Sequence, residues 1–138
     1  MKRGTDMVIV RMTNKDLGFY TTLGPFLARR DIEKELGYKI YDDDGKTWLI
    51  ALDASKVIGF CYIQEIASAS YQIGSCYVVP EYRSQGVFKT LLAEAVKGIK
   101  GNVSLITRNE ALIAMLQRNG FAVTGSRGSF TQLGKELE

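Results

Sequence analysis

The chain has 138 residues, which is enough for one domain of ordinary size and too few for two. Hydrophobic residues make up 46% and charged residues 24%, and no apolar run approaches the roughly 20 residues that cross a bilayer. There is no histidine, and the two cysteines, Cys61 and Cys76, share no metal-ligand spacing, which excludes a histidine base and argues against a metal site. We therefore expect a single cytoplasmic domain over residues 1–138 that binds no metal and no membrane.

The N-terminal third of the chain predicts one strand followed by two helices. Met7–Met12 is a short apolar run of the kind that forms strands. Thr13 or Asn14 is expected to cap a short helix, which the Gly-Pro pair at 24–25 breaks. The same proline suits the first turn of a second helix, which Gly37 ends.

The middle of the chain predicts three consecutive strands. An acidic turn at 42–45 precedes the runs TWLIALD and VIGFCYIQE, which residues 53–56 join into a hairpin. The run YQIGSCYVV then predicts a further strand.

Helical spacing takes over in the second half. Apolar residues recur every three or four positions between Gln85 and Lys100, which predicts a helix with one buried face. VSLIT predicts a strand, Asn109 caps a helix that Gly120 ends, and two final strands flank a turn at 125–128. The order β-α-α-β-β-β-α-β-α-β-β predicts a single-domain α/β fold with a mixed, mostly antiparallel sheet flanked by helices.

The strand-to-helix junction in VVPEYRSQGVFKTLL, residues 78–92, offers chemistry suited to a phosphate group. A helix start exposes unpaired N–H groups that attract anions. Gly86 leaves the backbone bare there, and Arg83 and Lys89 add positive charge. The same residues also fit an ordinary helix start with a solvated arginine, so this motif alone leaves both interpretations open.

Two segments together resemble the GNAT superfamily of N-acetyltransferases. PEYRSQGVFKTLL is similar to that family's acetyl-CoA-binding segment, whose usual form is R/Q-x-x-G-x-G/A after a strand. NEALIAMLQRNGF, residues 109–121, resembles the family's later N-x-x-A-x-x-x-Y-x-x-x-G-F segment. The predicted order of strands and helices also matches the family fold along essentially the whole chain.

The resemblance implies an acetyl-CoA site at the end of one strand and the start of the next helix. Backbone groups of Cys76, Tyr77 and Val78 would bind the pantetheine arm and the thioester carbonyl. Asn109 would contact the cofactor further along. The pyrophosphate would lie against the segment formed by Arg83, Ser84, Gln85, Gly86, Val87, Phe88 and Lys89.

Three departures from the family pattern bear on cofactor binding and catalysis. Phe88 stands where the family usually has Gly or Ala, and Leu116 occupies the position of the usual general acid, a tyrosine. Leucine cannot donate a proton. Gln72 stands where many relatives have a glutamate, so the sequence does not identify the general base. Glu65 and Tyr77 are the catalytic candidates, and each also fits an ordinary strand residue.

The resemblance implies an acyl-CoA-dependent N-acyltransferase that transfers acetyl from acetyl-CoA to a primary amine by direct attack. The sequence does not specify whether that amine belongs to a small molecule, a peptide or a modified base, nor whether the protein is a monomer or a homodimer. Two alternatives stay open. One is a catalytically weak module that binds CoA in a regulatory or interaction role, and the other is an interaction domain without a cofactor.

Overall fold

The computed structural model describes residues 7–138, so the first six residues of the predicted domain lie outside the described part of the chain. None of the described helices is long and apolar enough to span a bilayer. The elements follow in the order β1 (Met7–Met12), α1 (Phe19–Leu27), α2 (Arg30–Leu36), β2 (Lys46–Asp53), β3 (Lys56–Ala67), β4 (Ser70–Val78), a 3₁₀ turn (Pro80–Tyr82), α3 (Val87–Val96), β5 (Gly101–Thr107), α4 (Glu110–Arg118), β6 (Ala122–Arg127) and β7 (Phe130–Leu137).

The strands form one seven-stranded sheet in the order β1-β2-β3-β4-β5-β7-β6. Among the strands of residues 7–138, β4 and β5 run parallel, and every other neighbouring pair is antiparallel. A parallel pair needs a crossover connection, and α3 provides it between β4 and β5. The predicted α/β class, with a mixed and mostly antiparallel sheet, is thus confirmed.

The single parallel pairing is short, and this opens the sheet. Ser70–Ile73 of β4 pair with Asn102–Leu105 of β5. Beyond Ile73, β4 continues to Val78, and within the described part of the chain it pairs there only with β3. The C-terminal half of β4 is therefore free on the side that faces β5.

A β-bulge interrupts β4 where the two parallel strands part. Phe60 of β3 pairs with Tyr77, and Tyr62 pairs with Gly74, so two residues of β4, at 75 and 76, oppose one residue of β3. The first of them, Ser75, has φ 50 and is buried. An extra residue of this kind bends the strand and takes its backbone groups out of the regular ladder.

Helices cover both faces of the sheet. The ring of Phe26 in α1 lies 5.6 Å from the ring of Phe60, centroid to centroid. A Cβ added at the neighbouring Gly59 would lie 3.2 Å from Cγ1 of Val87 in α3. Successive strand residues point to opposite faces, so α1 and α3 pack on opposite sides. Trp48, fully buried 6.1 Å from Phe60, fills the core under α1.

The first helix differs from its prediction. α1 runs through the Gly-Pro pair at 24–25 and ends at Leu27, so the pair does not separate two helices. A proline at 25 removes the N–H that would bond to the carbonyl of Thr21, and its ring crowds that carbonyl. Thr21 is exposed, and water can satisfy its carbonyl, while the contact of Phe26 with Phe60 stabilises the last turn.

Two further boundaries also differ. The cap of α1 is Gly18 rather than Thr13 or Asn14, and the amide of Asn14 instead donates to the carbonyl of Asp42. α3 ends at Val96 and does not continue to Lys100. Gly98, at φ 77, redirects the chain into β5.

Candidate functional site

A cleft of about 520 Å³ opens where β4 separates from β5. Its walls come from the end of β4, the loop before α3, the first turn of α3 and one face of α4. The lining residues are Glu35, Cys76, Tyr77, Val78, Tyr82, Arg83, Ser84, Gly86, Val87, Phe88, Lys89, Asn109, Ala111, Leu112, Met115 and Arg118. The cleft therefore joins the two sequence segments that carry the predicted motifs.

Every predicted cofactor residue except Gln85 lines this cleft. The side-chain amide of Gln85 donates to the carbonyl of Glu81 at 3.0 Å, which closes the turn before α3. Its predicted contribution was a backbone group, and the loop that contains it still borders the cleft. The structure thus places the two motif segments face to face across one opening.

The loop at the start of α3 presents bare backbone to the cleft. Ser84 and Gly86 both have left-handed φ values, 63 and 83, and a Cβ added at Gly86 would meet no atom within 4 Å. No side chain caps the helix, whose first turn begins at Val87. The first N–H groups of a helix have no partner within the helix. Together with the helix dipole, they make this end of the cleft suitable for an anion.

Arg83 is fixed within the protein at the mouth of the cleft. Its Nε donates to the carbonyl of Val78 at 2.8 Å, and its Nη2 lies 2.8 and 2.9 Å from the two carboxylate oxygens of Glu35. Its guanidinium carbon stands 5.5 Å from the ring centroid of Tyr77. The guanidinium therefore connects the end of β4 to α2 while it borders the cleft.

A buried pair stabilises the turn that precedes this loop. The hydroxyl of Tyr82, which lines the cleft, donates to Oδ2 of Asp53 at 2.5 Å. This hydrogen bond raises the pKa of Tyr82 to about 12. Lys56 lies with its Nζ 5.5 Å from the centroid of the same ring. The sequence does not predict this pair, because Asp53 and Tyr82 are 29 residues apart and no local motif links them.

The opposite wall of the cleft begins with Asn109. Its side-chain Oδ1 accepts from the backbone N–H of Leu112 at 3.0 Å, so it caps α4 as the sequence predicts. Leu112 and Met115 turn an apolar surface to the cleft. This wall offers packing rather than charge along most of its length, with Arg118 as the cation at its far end.

The sequence matches the acetyltransferase (GNAT) family over residues 11–121. The chain belongs to this family. No curated protein matches the sequence. Membership confirms the enzyme class that the two motifs predicted, an acyl-CoA-dependent acyltransferase, and acetyl-CoA as its co-substrate.

Solved structures share the GNAT fold over nearly the full length of the chain. An acetyltransferase of the GNAT family from Streptococcus pneumoniae matches with a TM-score of 0.74 and 19% identity, covering 96% of this chain and 99% of that chain. The PaiA N-acetyltransferase from Thermoplasma acidophilum, in complex with coenzyme A, matches with a TM-score of 0.65 and 21% identity, at coverages of 95% and 99%. A GNAT acetyltransferase from Elizabethkingia anophelis with acetyl-CoA bound matches with a TM-score of 0.67 and 14% identity, at coverages of 96% and 99%.

Leu116, at the position of the usual GNAT tyrosine, is fully buried and does not line the cleft. Phe88, the other departure from the motif, is half-buried, packs against the core and also borders the cleft. The Phe88 side chain therefore lies partly between α3 and the core and does not lie wholly in the cleft. α4 presents no proton donor at the tyrosine position.

The two catalytic candidates occupy different ends of the β3–β4 hairpin. Glu65 pairs across from Tyr71, and its carboxylate accepts from the backbone N–H of Ala69 at 3.3 Å. It lines neither the cleft nor the smaller cavity described next. A base must lie within hydrogen-bond reach of its proton, directly or through one water, and the position of Glu65 does not support that role.

Tyr77 forms the wall between the cleft and a second cavity of about 390 Å³. Its ring is 4% exposed and lies 5.7 Å from that of Phe60. Burial raises the pKa of Tyr77, so its hydroxyl stays protonated at neutral pH.

Among residues 7–138, no group of three His, Cys, Asp or Glu side chains is arranged to hold a metal ion.

Proposed function

We propose that the protein transfers the acetyl group of acetyl-CoA to a primary amine by direct attack in a ternary complex. The observation that carries this proposal is the cleft between β4 and β5, because it is lined by both motif segments and by a helix start suited to an anion. The amine belongs to a small molecule, a peptide or a modified base.

The cofactor would extend along the free side of β4. Backbone N–H groups from Ser84 to Lys89 would bind the pyrophosphate, since the uncapped start of α3 lies there. The pantetheine arm would run beside Cys76–Val78, whose side facing β5 has no strand partner. Asn109 caps α4 on the opposite wall, where Leu112 and Met115 provide apolar contact.

For direct attack, the main task of the protein is to hold the amine and the thioester in reacting positions. The neutral amine nitrogen attacks the thioester carbon, the C–N bond forms, and the C–S bond breaks with its electron pair on sulfur. Tyr77 is the candidate hydroxyl that we retain for proton transfer, because its ring borders the cleft and burial keeps it protonated. We do not assign Glu65 a role, because its carboxylate lies outside the cleft.

One observation favours a second function, a catalytically weak module that binds CoA. Leu116 removes the usual proton donor from α4, and it is buried in the core. General acid catalysis contributes about a hundredfold to ten-thousandfold in rate, so its loss alone would leave binding with slow turnover.

Two measurements separate these functions. Calorimetric titration with acetyl-CoA tests binding, with Gly86→Asp as a variant that places a carboxylate before the pyrophosphate site. Release of free CoA thiol over a panel of amines, peptides and nucleosides then tests turnover. Binding with robust turnover on any amine supports the transferase, whereas binding without turnover supports the module. No binding by the wild-type protein would contradict both.

A further inference from the structure

Tyr38 makes an unusual contact with the bulge of β4 from outside the cleft. It follows Gly37, the C-cap of α2, whose φ of 90 turns the chain back towards the sheet. Its hydroxyl accepts a hydrogen bond from the backbone N–H of Ser75 at 2.9 Å. The two residues are 37 positions apart in sequence, so the contact exists only because α2 packs over β4.

Ser75 needs such a partner. Its φ of 50 is left-handed, which is rare for serine and persists only where the surroundings hold it. The residue is 1% exposed, so water cannot readily satisfy its N–H. The bulge takes this N–H out of the regular pairing with β3, and the hydroxyl of Tyr38 supplies the acceptor.

The next residue along the strand, Cys76, lines the cleft. The peptide between the two residues carries the Cys76 N–H, and the backbone angles at Ser75 set where that N–H points. Pairing of β4 with β5 has already ended at Ile73, so no β5 strand neighbour constrains this peptide. Tyr38 itself does not line the cleft, and it therefore acts on the cofactor only through the bulge.

We propose that Tyr38 is a positioning residue that fixes the bulge so that the Cys76 N–H meets the thioester carbonyl of acetyl-CoA. This inference rests on the proposed function and adds a residue that neither motif contains. When the amine adds to the carbonyl carbon, negative charge gathers on the carbonyl oxygen, where a fixed N–H stabilises it. The C–S bond then breaks, sulfur keeps the electron pair, and the proton released by nitrogen completes the free thiol of CoA.

The hydroxyl of Tyr38 is suited to a neutral structural role. Tyr38 is 37% exposed as a residue, but its hydroxyl end lies against the sheet, where desolvation raises its pKa; the neighbouring Cys76 and Tyr62 act in the same direction, while the contacts with Ser75 oppose the shift. Burial also raises the pKa of both neighbours, so all three groups are uncharged at neutral pH. The phenol oxygen accepts from Ser75 and adds no negative charge near the carbonyl oxygen, on which negative charge gathers during attack.

The proposal predicts selectivity between two forms of the cofactor. Acetyl-CoA has the carbonyl that the Cys76 N–H would contact, and CoA does not. Tyr38→Phe removes the acceptor from Ser75 but leaves the pyrophosphate loop and α4 unchanged. We expect its affinity for acetyl-CoA to fall about three- to tenfold, the value of one neutral hydrogen bond, while its affinity for CoA stays within twofold of wild type.

The test is calorimetric titration of wild type and Tyr38→Phe with acetyl-CoA and with CoA. Tyr41→Phe is the matched control, because Tyr41 is 62% exposed and lies only a few residues further along the chain. We expect the control to keep the wild-type ratio of the two affinities. An unchanged ratio in Tyr38→Phe, with both cofactors bound, would overturn the positioning role and leave the proposed transferase intact.

A second measurement reports on the thioester carbonyl itself. Infrared difference spectra of acetyl-CoA labelled with ¹³C at the thioester carbonyl report the hydrogen bond directly. In wild type we expect the carbonyl band to move to lower frequency on binding, and in Tyr38→Phe we expect a smaller shift. A band that does not move when acetyl-CoA binds wild type would refute the inference. Failure of wild type to bind either cofactor would refute both the inference and the proposed function.

Discussion

Replacing Gly86 by alanine tests the pyrophosphate site against a control that the chain itself provides. Gly86 has φ 83 and Gly98 has φ 77, and a Cβ added at either residue meets no atom within 4 Å. Both substitutions therefore carry the same conformational cost without a steric clash. They differ in place, because Gly86 lines the cleft at the start of α3 and Gly98 lies beyond the end of that helix.

The expected loss of stability is the same for both variants. A left-handed conformation costs an alanine about 1–2 kcal/mol relative to glycine. An unfolding entropy of about 2.1 cal/mol/K per residue, over 138 residues, gives about 0.3 kcal/mol/K. Each substitution should therefore lower the melting temperature by about 3–7 °C.

Of the two variants, we expect only Gly86→Ala to bind acetyl-CoA more weakly than wild type. Its methyl group would stand before the N–H groups of Ser84–Lys89, the side from which a pyrophosphate must approach. Loss of one hydrogen bond to a charged group costs about 1.5–3 kcal/mol, which corresponds to acetyl-CoA binding weaker by about ten- to a hundredfold. Gly98→Ala should bind acetyl-CoA within twofold of wild type.

Thermal unfolding and calorimetric titration with acetyl-CoA measure the two effects separately. Equal loss of affinity for acetyl-CoA in both variants would refute this explanation, because the loss would then result from lower stability and not from the position of Gly86 in the cleft. The explanation would equally be refuted if Gly86→Ala bound acetyl-CoA like wild type.

Four further substitutions test other parts of the site. Tyr82→Phe should raise the KM for acetyl-CoA more than it changes kcat. Because folding raises the pKa of Tyr82 from 10.0 to about 12, the stability that this hydroxyl contributes is present below pH 10 and is lost as the pH rises towards 12. Between pH 10 and pH 12, the melting temperature of the variant should therefore fall less steeply than that of wild type. Glu35→Gln removes a carboxylate from the cleft and releases Arg83 from an exposed ion pair that is worth only about 0.2–1 kcal/mol. Acetyl-CoA should then bind about two- to fivefold more tightly. Unchanged binding in low salt would show that the carboxylate does not oppose the cofactor. Glu65→Gln should leave kcat/KM within twofold, whereas a large fall would restore Glu65 as a catalytic base. Leu116→Ala should lower the free energy of unfolding by about 2–5 kcal/mol in urea titrations, because it leaves a cavity in the core, and a loss below 1 kcal/mol would show that the position is not packed as described.

The strand-to-helix junction before α3 was predictable because its geometry is local. Gly86 and the start of α3 are adjacent in sequence, and a strand followed by a glycine and a helix exposes backbone N–H groups wherever it occurs. The cap at Asn109 is equally local, since its side chain accepts from an N–H three residues later. Both predictions needed only the order of residues along a few turns.

Contacts that join distant segments were not predictable in this way. Arg83 and Glu35 are 48 residues apart, and Ser75 and Tyr38 are 37 apart, without any pattern that links them. Each pair depends on the path of α2 across β4. The helix boundary at Pro25 was mistaken for a related reason, because packing of Phe26 on Phe60 outweighs the local preference of proline.

The sequence by itself determined the order of strands and helices, the α/β class and the glycine-containing helix start whose chemistry suits an anion, because periodicity and helix-start chemistry act over a few residues. Only the tertiary structure decided that β4 leaves β5 after Ile73, that a bulge at Ser75 follows, and that Glu65 lies at the remote end of its hairpin. Strand register and separation result from packing across the whole sheet, and a one-dimensional pattern does not contain them. The helix start that borders the cleft is thus specified locally, whereas the opening of the cleft and the bulge beside it depend on how distant segments meet.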